Sequence, residues 1–215
     1  MAAFVLPMGH LLGPSYAEPT EAETGGTAPD TTGPDSYDVR LGDDFCYLDE
    51  RAYAIWLLAH GFPEAVEKRA PTRAQILEQA TAQGITEPEP AFDELLEQGL
   101  LVQVLPTQSQ LRRFAEDHRA YAAGHGMGNT AQDPESYAIG TPEDPWAIVE
   151  YRTYFIWSGL SRAASLWEAL DQIADYQVLR GEDGVPLTTD GVLAAFTEQL
   201  PMLLATNCVY LDRRG

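Results

Sequence analysis

Side chains capable of covalent chemistry are sparse in this chain, and their neighbours do not activate them. Cys46 and Cys208 lie in the apolar stretches "DDFCYL" and "NCVYL", with no adjacent histidine or cation that would lower the pKa of a thiol. This placement predicts two reduced thiols in the core, and a disulfide is the less favoured alternative. Nucleophilic catalysis by cysteine is therefore not expected.

Metal and phosphate sites have equally little support. Asp117, His118 and His125 are candidate metal ligands, but the two histidines are seven positions apart across an expected helix end, with no cysteine or third histidine near them. The glycine-rich run "GHGMGNT" (residues 124–130) follows a helix and has no lysine, so it predicts a turn and not a nucleotide-binding loop. We therefore expect no metal, no cofactor and no enzymatic activity.

Charge and hydropathy narrow the classes of partner. The 215 residues include 13 Lys and Arg against 33 Asp and Glu, a formal charge of -20, so the chain repels phosphate backbones and anionic membranes. No apolar run approaches the ~20 residues of a membrane span. The opening "MAAFVLPMGHLLGPSYAEP" has no Lys or Arg before its apolar run and predicts a strand, not a signal peptide. We expect a cytoplasmic protein.

The sequence pattern of the elements that position these side chains occurs twice in the chain. "PDSYDVRLGDDFCYLDERAYAIW" occupies residues 34–56, and "PESYAIGTPEDPWAIVEYRTYFIW" occupies residues 134–157. Each is followed by a capping-box pattern, Thr72 with Gln75 and Ser165 with Glu168. Each then has Ala-Phe-x-Glu, a residue suited to the left-handed conformation (Gly99 or Asn207) and a short β-type run. The sequence therefore predicts an internal repeat.

The repeat predicts an α+β fold of two duplicated winged-helix domains, each with a β-hairpin, three helices and a wing strand. Domain 1 is expected over residues 1–107, with a mobile acidic loop over residues 13–34. Domain 2 is expected over residues 126–215. Between them, "SQLRRFAEDHRAYAAGHG" predicts a connecting helix over residues 108–125, with Ser109 as its N-cap and Gly124 as its stop.

The stretch "YDVRLGDDFCYLDERAYAIWLLAHG", with "TRAQILEQA" and "FDELLEQGLLVQV" after it, resembles the winged-helix superfamily. Its strand pair, Ile-Trp and "LLEQGLL" ending are similar to leader-peptide-recognition domains of the PqqD type over about residues 36–105. The chain departs from that type by the insertion "FPEAVEKRAP" and by the duplication. Dimeric repressors and kleisin-binding condensation subunits share the tandem arrangement. The resemblance implies, as one alternative, a leader-peptide-binding accessory of a peptide-modification pathway.

The helices that would read DNA have the wrong charge for it. Residues 74–111 and 181–211 contain no Lys, Arg or His. In the first copy, the outward side of the third helix carries Asp93, Glu94 and Glu97. Carboxylates at that position oppose binding to phosphates. A regulator that binds DNA as a dimer remains an alternative function, and it would use Arg112, Arg113 and Arg119 of the connecting helix.

We therefore predict a non-catalytic adaptor or regulatory protein that recognises a protein or peptide partner, with a homodimer also possible. The third helix of the second copy has a core side (Leu193, Phe196, Leu200, Leu203, Leu204) and an opposite side with little charge. Small and flexible apolar residues on that opposite side suit a docking face. The predicted partner-binding residues are Asp93, Glu94, Glu97, Ala194, Ala195, Glu198 and Met202.

Overall fold

The computed structural model describes residues 2–16, 33–61 and 70–214. Most of the predicted acidic loop (residues 17–32) and most of the insertion "FPEAVEKRAP" (residues 62–69) lie outside the described residues. The loop prediction is wrong at residues 13–15, which belong to a strand because their backbone pairs with the strand that follows them, for example Ser15 opposite Ser36.

Residues 2–104, called the first half below, contain four strands, then three helices, then one strand among the described residues. The strands are β1 (Phe4–Pro7), β2 (His10–Ser15), β3 (Ser36–Leu41), β4 (Asp44–Leu48) and, after the helices, β5 (Leu101–Val104). The helices are α1 (Glu50–His60), α2 (Arg73–Ala82) and α3 (Pro88–Glu97). A further helix, α4 (Gln108–Asp117), leads out of this half.

Residues 118–213, called the second half, repeat that order. The strands are β6 (His118–Ala122), β7 (His125–Gly128), β8 (Ser136–Gly140), β9 (Pro145–Glu150) and, after the helices, β10 (Val209–Arg213). The helices are α5 (Tyr151–Gly159), extended by a 3₁₀ turn at Leu160–Arg162, α6 (Leu166–Asp175) and α7 (Thr189–Ala205). None of the described helices combines the length and the apolar character needed to cross a membrane.

Strand pairing is also the same in the two halves. The first strand of each half pairs antiparallel with the last, β1 with β5 and β6 with β10. The second, third and fourth strands form a three-stranded antiparallel sheet, β2-β3-β4 or β7-β8-β9. The protein is therefore an α+β protein whose described elements follow one order and one pairing scheme twice. The predicted hairpin, β3-β4 or β8-β9, is part of a three-stranded sheet in each half.

Local helix signals explain where the helices begin and end. The Thr72 hydroxyl accepts from the N–H of Gln75, and the Gln75 side chain accepts from the N–H of Thr72, so the predicted capping box is complete. Ser165 accepts from the N–H of Glu168 in the same way, but the Glu168 carboxylate accepts from Ala164.

The third helices of both halves end in the same motif. Gly99 has φ 74° and Asn207 has φ 55°, the left-handed conformation predicted for both. The next N–H reaches back to the helix, from Leu100 to the carbonyl of Leu95 and from Cys208 to that of Leu203. This is the Schellman pattern, and it directs the chain into the final strand of each half.

The two tryptophans of the repeated phrase are buried, as their place in the aligned helices predicts. Trp56 is 2% exposed and Trp157 is 5% exposed. The indole N–H of Trp56 donates to the carbonyl of Met8 at 3.0 Å, and that of Trp157 donates to the carbonyl of Cys208 at 2.7 Å. Met8 and Cys208 lie at the same end of the β1–β5 and β6–β10 pairs, but on opposite strands of the pair.

The predicted connecting helix (residues 108–125) is wrong beyond Asp117. Its N-cap is Thr107, not Ser109, and residues 118–122 form β6. All five residues of β6 pair with β10. This pairing satisfies backbone groups of β10 that a longer helix would leave unpaired, so tertiary context overrides the helical spacing of the side chains.

The glycine-rich run "GHGMGNT" is not only a turn. Its residues His125–Gly128 form β7, which pairs with β8 through an irregularity between Gly126 and Gly128. Glycine is favoured at position 126, since a Cβ there would clash with the hydroxyl oxygen of Tyr154. The strand brings Gly126 against Tyr154 and Trp157 of α5, so this glycine serves close packing.

One continuous apolar core joins the halves, and β10 forms much of the seam between them. The N–H of Gly9 donates to the carbonyl of Leu211 at 2.7 Å. Asp212 is 2% exposed, and its carboxylate accepts from the N–H of Gly42 at 2.6 Å and lies 3.9 Å from the guanidinium of Arg40. These contacts compensate the buried carboxylate and fix the second half against the first.

Candidate partner-binding surfaces

The predicted acidic face of α3 lies at the surface. Asp93 forms an ion pair of 2.8 Å with Arg73, and the Glu94 carboxylate accepts from the side-chain amide of Gln98 at 3.1 Å. Glu97 is exposed. Arg73 offsets part of the charge of Asp93, so the negative potential of this face comes mainly from the two glutamates.

The structure divides the predicted docking face of α7 into two parts. Ala194 and Glu198 are exposed and line a groove between α7 and the first half. Ala195 and Met202 are half-buried and pack against the core. The predicted core side of α7 is buried as expected. The four predicted residues therefore do not form one flat surface.

The arginines named for the DNA-binding alternative are separated as well. Arg112 pairs with Glu116 at 3.0 Å, and Arg113 lies 3.7 Å from Asp117. Arg119 is on β6, not on the helix, with its guanidinium 4.9 Å from the ring centre of Tyr121. The cations of α4 are thus offset by carboxylates one turn along the same helix, which weakens any attraction to phosphate.

The described residues contain no group of three or more metal-ligating side chains. The ring of His118 stacks on Phe114, and its Nδ1 lies 2.9 Å from the carbonyl of that residue. Cys46 is half-buried, Cys208 is buried, and both are free thiols. Burial raises the pKa of each thiol, so neither is activated as a nucleophile.

An exposed apolar surface that sequence analysis missed lies on β4. Phe45 is 57% exposed and Tyr47 is 70% exposed, and both project from the same face because they are two positions apart. Within the described residues, β4 is the outer strand of its sheet, so its second edge carries unpaired backbone groups. The alternation in "DDFCYL" was the sequence signal for this face.

The second half has the same surface at the aligned positions. The offset that aligns Arg51 with Arg152 also aligns Phe45 with Trp146 and Tyr47 with Ile148. Trp146 is 37% exposed and Ile148 is 67% exposed. β9 is the outer strand of its sheet among the described elements, as β4 is. We call Phe45 with Tyr47 edge surface 1, and Trp146 with Ile148 edge surface 2.

Acidic side chains flank both edge surfaces. Exposed carboxylates precede and follow edge surface 1 at Asp43, Asp44, Asp49 and Glu50, and edge surface 2 at Glu143, Asp144 and Glu150. Asp44 lies 3.6 Å from Arg213, and Asp49 caps α1 by accepting from the N–H of Ala52. Each apolar pair is therefore set between negative charges at both ends of its strand.

Comparison of the chain with protein-family models, with curated proteins and with solved structures finds no match in any of the three. The arrangement of the side chains is therefore the basis for assigning a function.

Proposed function

We propose that this protein is a non-catalytic adaptor or regulatory protein that binds basic, extended segments of partner proteins through edge surfaces 1 and 2. Each half supplies one surface. The single observation that supports this proposal most is the occurrence of exposed apolar pairs at aligned positions of the two outer strands. Phe45, Tyr47 and Ile148 are each more than half exposed, and the ring of Trp146, 37% exposed, lies partly against Gly124.

We further propose that each half is a winged-helix module. The order of strand pair, three helices and returning strand is the order expected for such a module, and the buried tryptophan of the first helix lies in the core of each half. A third helix that binds DNA needs an exposed cationic face. Here α3 carries acidic residues outward, and part of α7 faces the first half, so both features favour a protein partner.

The chemistry of the edge surfaces favours an extended, basic occupant. An outer strand offers a row of N–H and C=O groups to an added strand, and alternate side chains of that strand would contact the apolar pair. Cationic residues beyond its two ends would face the flanking carboxylates. A second copy of this chain fits less well, because each copy carries a formal charge of -20 and both edges are acidic.

A leader peptide would be one segment of this kind, if its apolar residues alternate and its ends are basic. The acidic face of α3 (Asp93, Glu94 and Glu97) would add attraction for cations of the same partner, and Ala194, Ala195, Glu198 and Met202 remain proposed contacts on α7.

DNA-dependent regulation is the competing function. A mobility shift with duplex DNA at physiological salt distinguishes it, since adaptor function predicts no complex there.

Selection of random twelve-residue peptides displayed on phage, with the full chain as bait at physiological salt, tests the proposal. We expect enriched peptides to carry Lys or Arg on both sides of alternating apolar residues. A synthetic copy of an enriched peptide should shift the backbone NMR signals of β4 and β9.

Paired variants assign the binding to the surfaces. Phe45→Ser with Tyr47→Ser should remove the response of β4 and leave that of β9, and Trp146→Ser with Ile148→Ser should do the reverse. Truncation of a residue at the centre of an interface costs more than about 1 kcal/mol where that residue is a hot spot, so the affinity at the changed surface should fall at least fivefold. Tyr176→Ser, at an aromatic residue 60% exposed but outside both sheets, is the matched control. Enrichment of acidic peptides, or unchanged binding by a chain with both surfaces altered, would refute the proposal.

A further inference from the structure

A groove with a volume of about 530 Å³ lies where the two halves meet. Phe4 and Leu6 of β1 form part of its lining, and α7 contributes another part. Leu111 of α4 also lines the groove. The lining is mainly apolar. A volume in this range, a concave apolar lining and a position between two modules are typical of small-ligand sites.

The α7 side of the groove is a regular stripe. Ala194, Thr197, Glu198 and Pro201 follow the i, i+3, i+4, i+7 spacing of one helix face, and all four line the groove. The core stripe of the same helix is buried, and it meets the groove at Leu200. Because Ala194 has a small side chain, α7 leaves space here where a larger residue would fill the groove.

The β1 side is held in place on both edges. On one edge β1 pairs with β5, with Phe4 opposite Val104. On the other, the N–H of Val5 donates to the carbonyl of Pro71 at 2.7 Å, and Phe4 forms a bridge with Thr72. The groove is therefore preformed in the free protein, which lowers the ordering cost of binding.

The groove offers polar groups of both kinds, and its only formal charge among the described lining residues is negative. Glu198 is its one charged lining residue, and its carboxylate has no hydrogen bond or ion pair to any described residue. Pro201 has no N–H, so the carbonyl of Thr197 lacks the donor that residue i+4 normally supplies in a helix. Thr72 and Gln75 also line the groove; the Oε1 of Gln75 accepts in the capping box, and its Nε2 donates to no described residue.

We propose that this groove binds a small amphiphilic cation, an apolar alkyl or aryl body with a protonated amine. The apolar body would replace water along Phe4, Leu6 and Pro201. The ammonium group would donate to the Glu198 carboxylate. This site is distinct from edge surfaces 1 and 2 and does not depend on the proposed peptide binding.

Titration of the full chain with three eight-carbon probes, octylammonium, octanol and octanoate, tests the site. Binding is followed by NMR at physiological salt. We expect saturable shifts at Ala194 and Leu6, with octylammonium bound more tightly than octanol and octanoate bound least. Equal binding of octanoate would overturn the assignment, and so would non-saturating shifts spread over the acidic surface.

Three variants separate charge from shape. Glu198→Gln should weaken octylammonium three- to tenfold, the range for a partly exposed charge-assisted hydrogen bond, and leave octanol within twofold. Ala194→Phe should block both probes. Ala194→Leu is the milder variant for the case that phenylalanine disturbs the fold, and it should weaken both probes. Glu97→Gln removes one carboxylate from the exposed end of α3 and should change nothing. Unaltered octylammonium binding by Glu198→Gln or by both Ala194 variants would contradict the proposal.

Discussion

Replacement of either core tryptophan by phenylalanine should destabilise the whole molecule and not one half of it. Each substitution removes the indole N–H, which leaves the buried carbonyl of Met8 without its donor, whereas the carbonyl of Cys208 keeps the N–H of Ala123. An unsatisfied buried acceptor costs about 1–3 kcal/mol, and the smaller ring leaves a cavity that costs about 1–2 kcal/mol more. We therefore expect Trp56→Phe to lower the free energy of unfolding by about 2–5 kcal/mol and Trp157→Phe, which creates only the cavity, by about 1–2 kcal/mol.

Urea unfolding followed by far-UV circular dichroism measures this loss. One core joins the halves, so each variant should unfold in a single transition at a lower urea concentration than the parent. Trp146→Phe is the matched control, because Trp146 is 37% exposed and should cost less than about 1 kcal/mol. Two separate transitions, or a loss for Trp56→Phe and Trp157→Phe no larger than that of the control, would refute the equivalence of the two core positions.

Three further predictions follow from buried polar groups. Burial lowers the pKa of His60 to about 4, below the ~6.5 of the unfolded chain, so the unfolded chain takes up the extra proton as the pH falls. The stability that neutral His60 contributes is present above pH ~6.5 and is lost towards pH ~4, by at most about 3 kcal/mol. The urea midpoints of His60→Gln should therefore depend less on pH than those of the parent protein. Asp212→Ala should cost about 2–4 kcal/mol in a urea titration, because Gly42 and Arg213 lose the acceptor of their N–H groups, whereas Asp49→Ala at an exposed cap should cost about 1 kcal/mol. Native Cys208 should react with a thiol reagent far more slowly than half-buried Cys46, and equal rates would place Cys208 at the surface.

Much of the fold could be predicted from local signals. The capping box at Thr72 and the left-handed residues Gly99 and Asn207 are properties of short stretches, so they were visible before any tertiary contact was known. The apolar stripe of α7 was predicted for the same reason, since a 3.6-residue period identifies a buried helix face.

Strand β6, which depends on a distant partner, was not predicted, although β1 and the final strand of each half were. Residues 118–122 continue the helical spacing of α4, with Phe114, His118 and Tyr121 in phase, and only the pairing with β10 makes them a strand. The division of the predicted α7 face has the same origin. Sequence periodicity places Ala194 and Met202 on the side away from the core, but it contains no information on where the first half contacts α7.

The edge surfaces could have been found from the sequence. Alternation in a strand assigns Phe45 and Tyr47 to one face, and the aligned repeat assigns Trp146 and Ile148 to the equivalent face. Exposure was the missing information, because an alternating strand has one buried face and the sequence alone did not identify which one. The inward residues Cys46 and Ala147 are small, and the larger apolar residues are outside.

Hydrogen–deuterium exchange of the full chain, with and without a saturating basic peptide obtained by selection, is the most direct test of two equivalent binding strands. We predict slower amide exchange at Asp44–Leu48 and at Pro145–Glu150 when the peptide is bound, with each segment losing its protection when its own apolar pair is changed to serine. Protection confined to α3, α4 or α7, with both outer strands unchanged, would contradict the account.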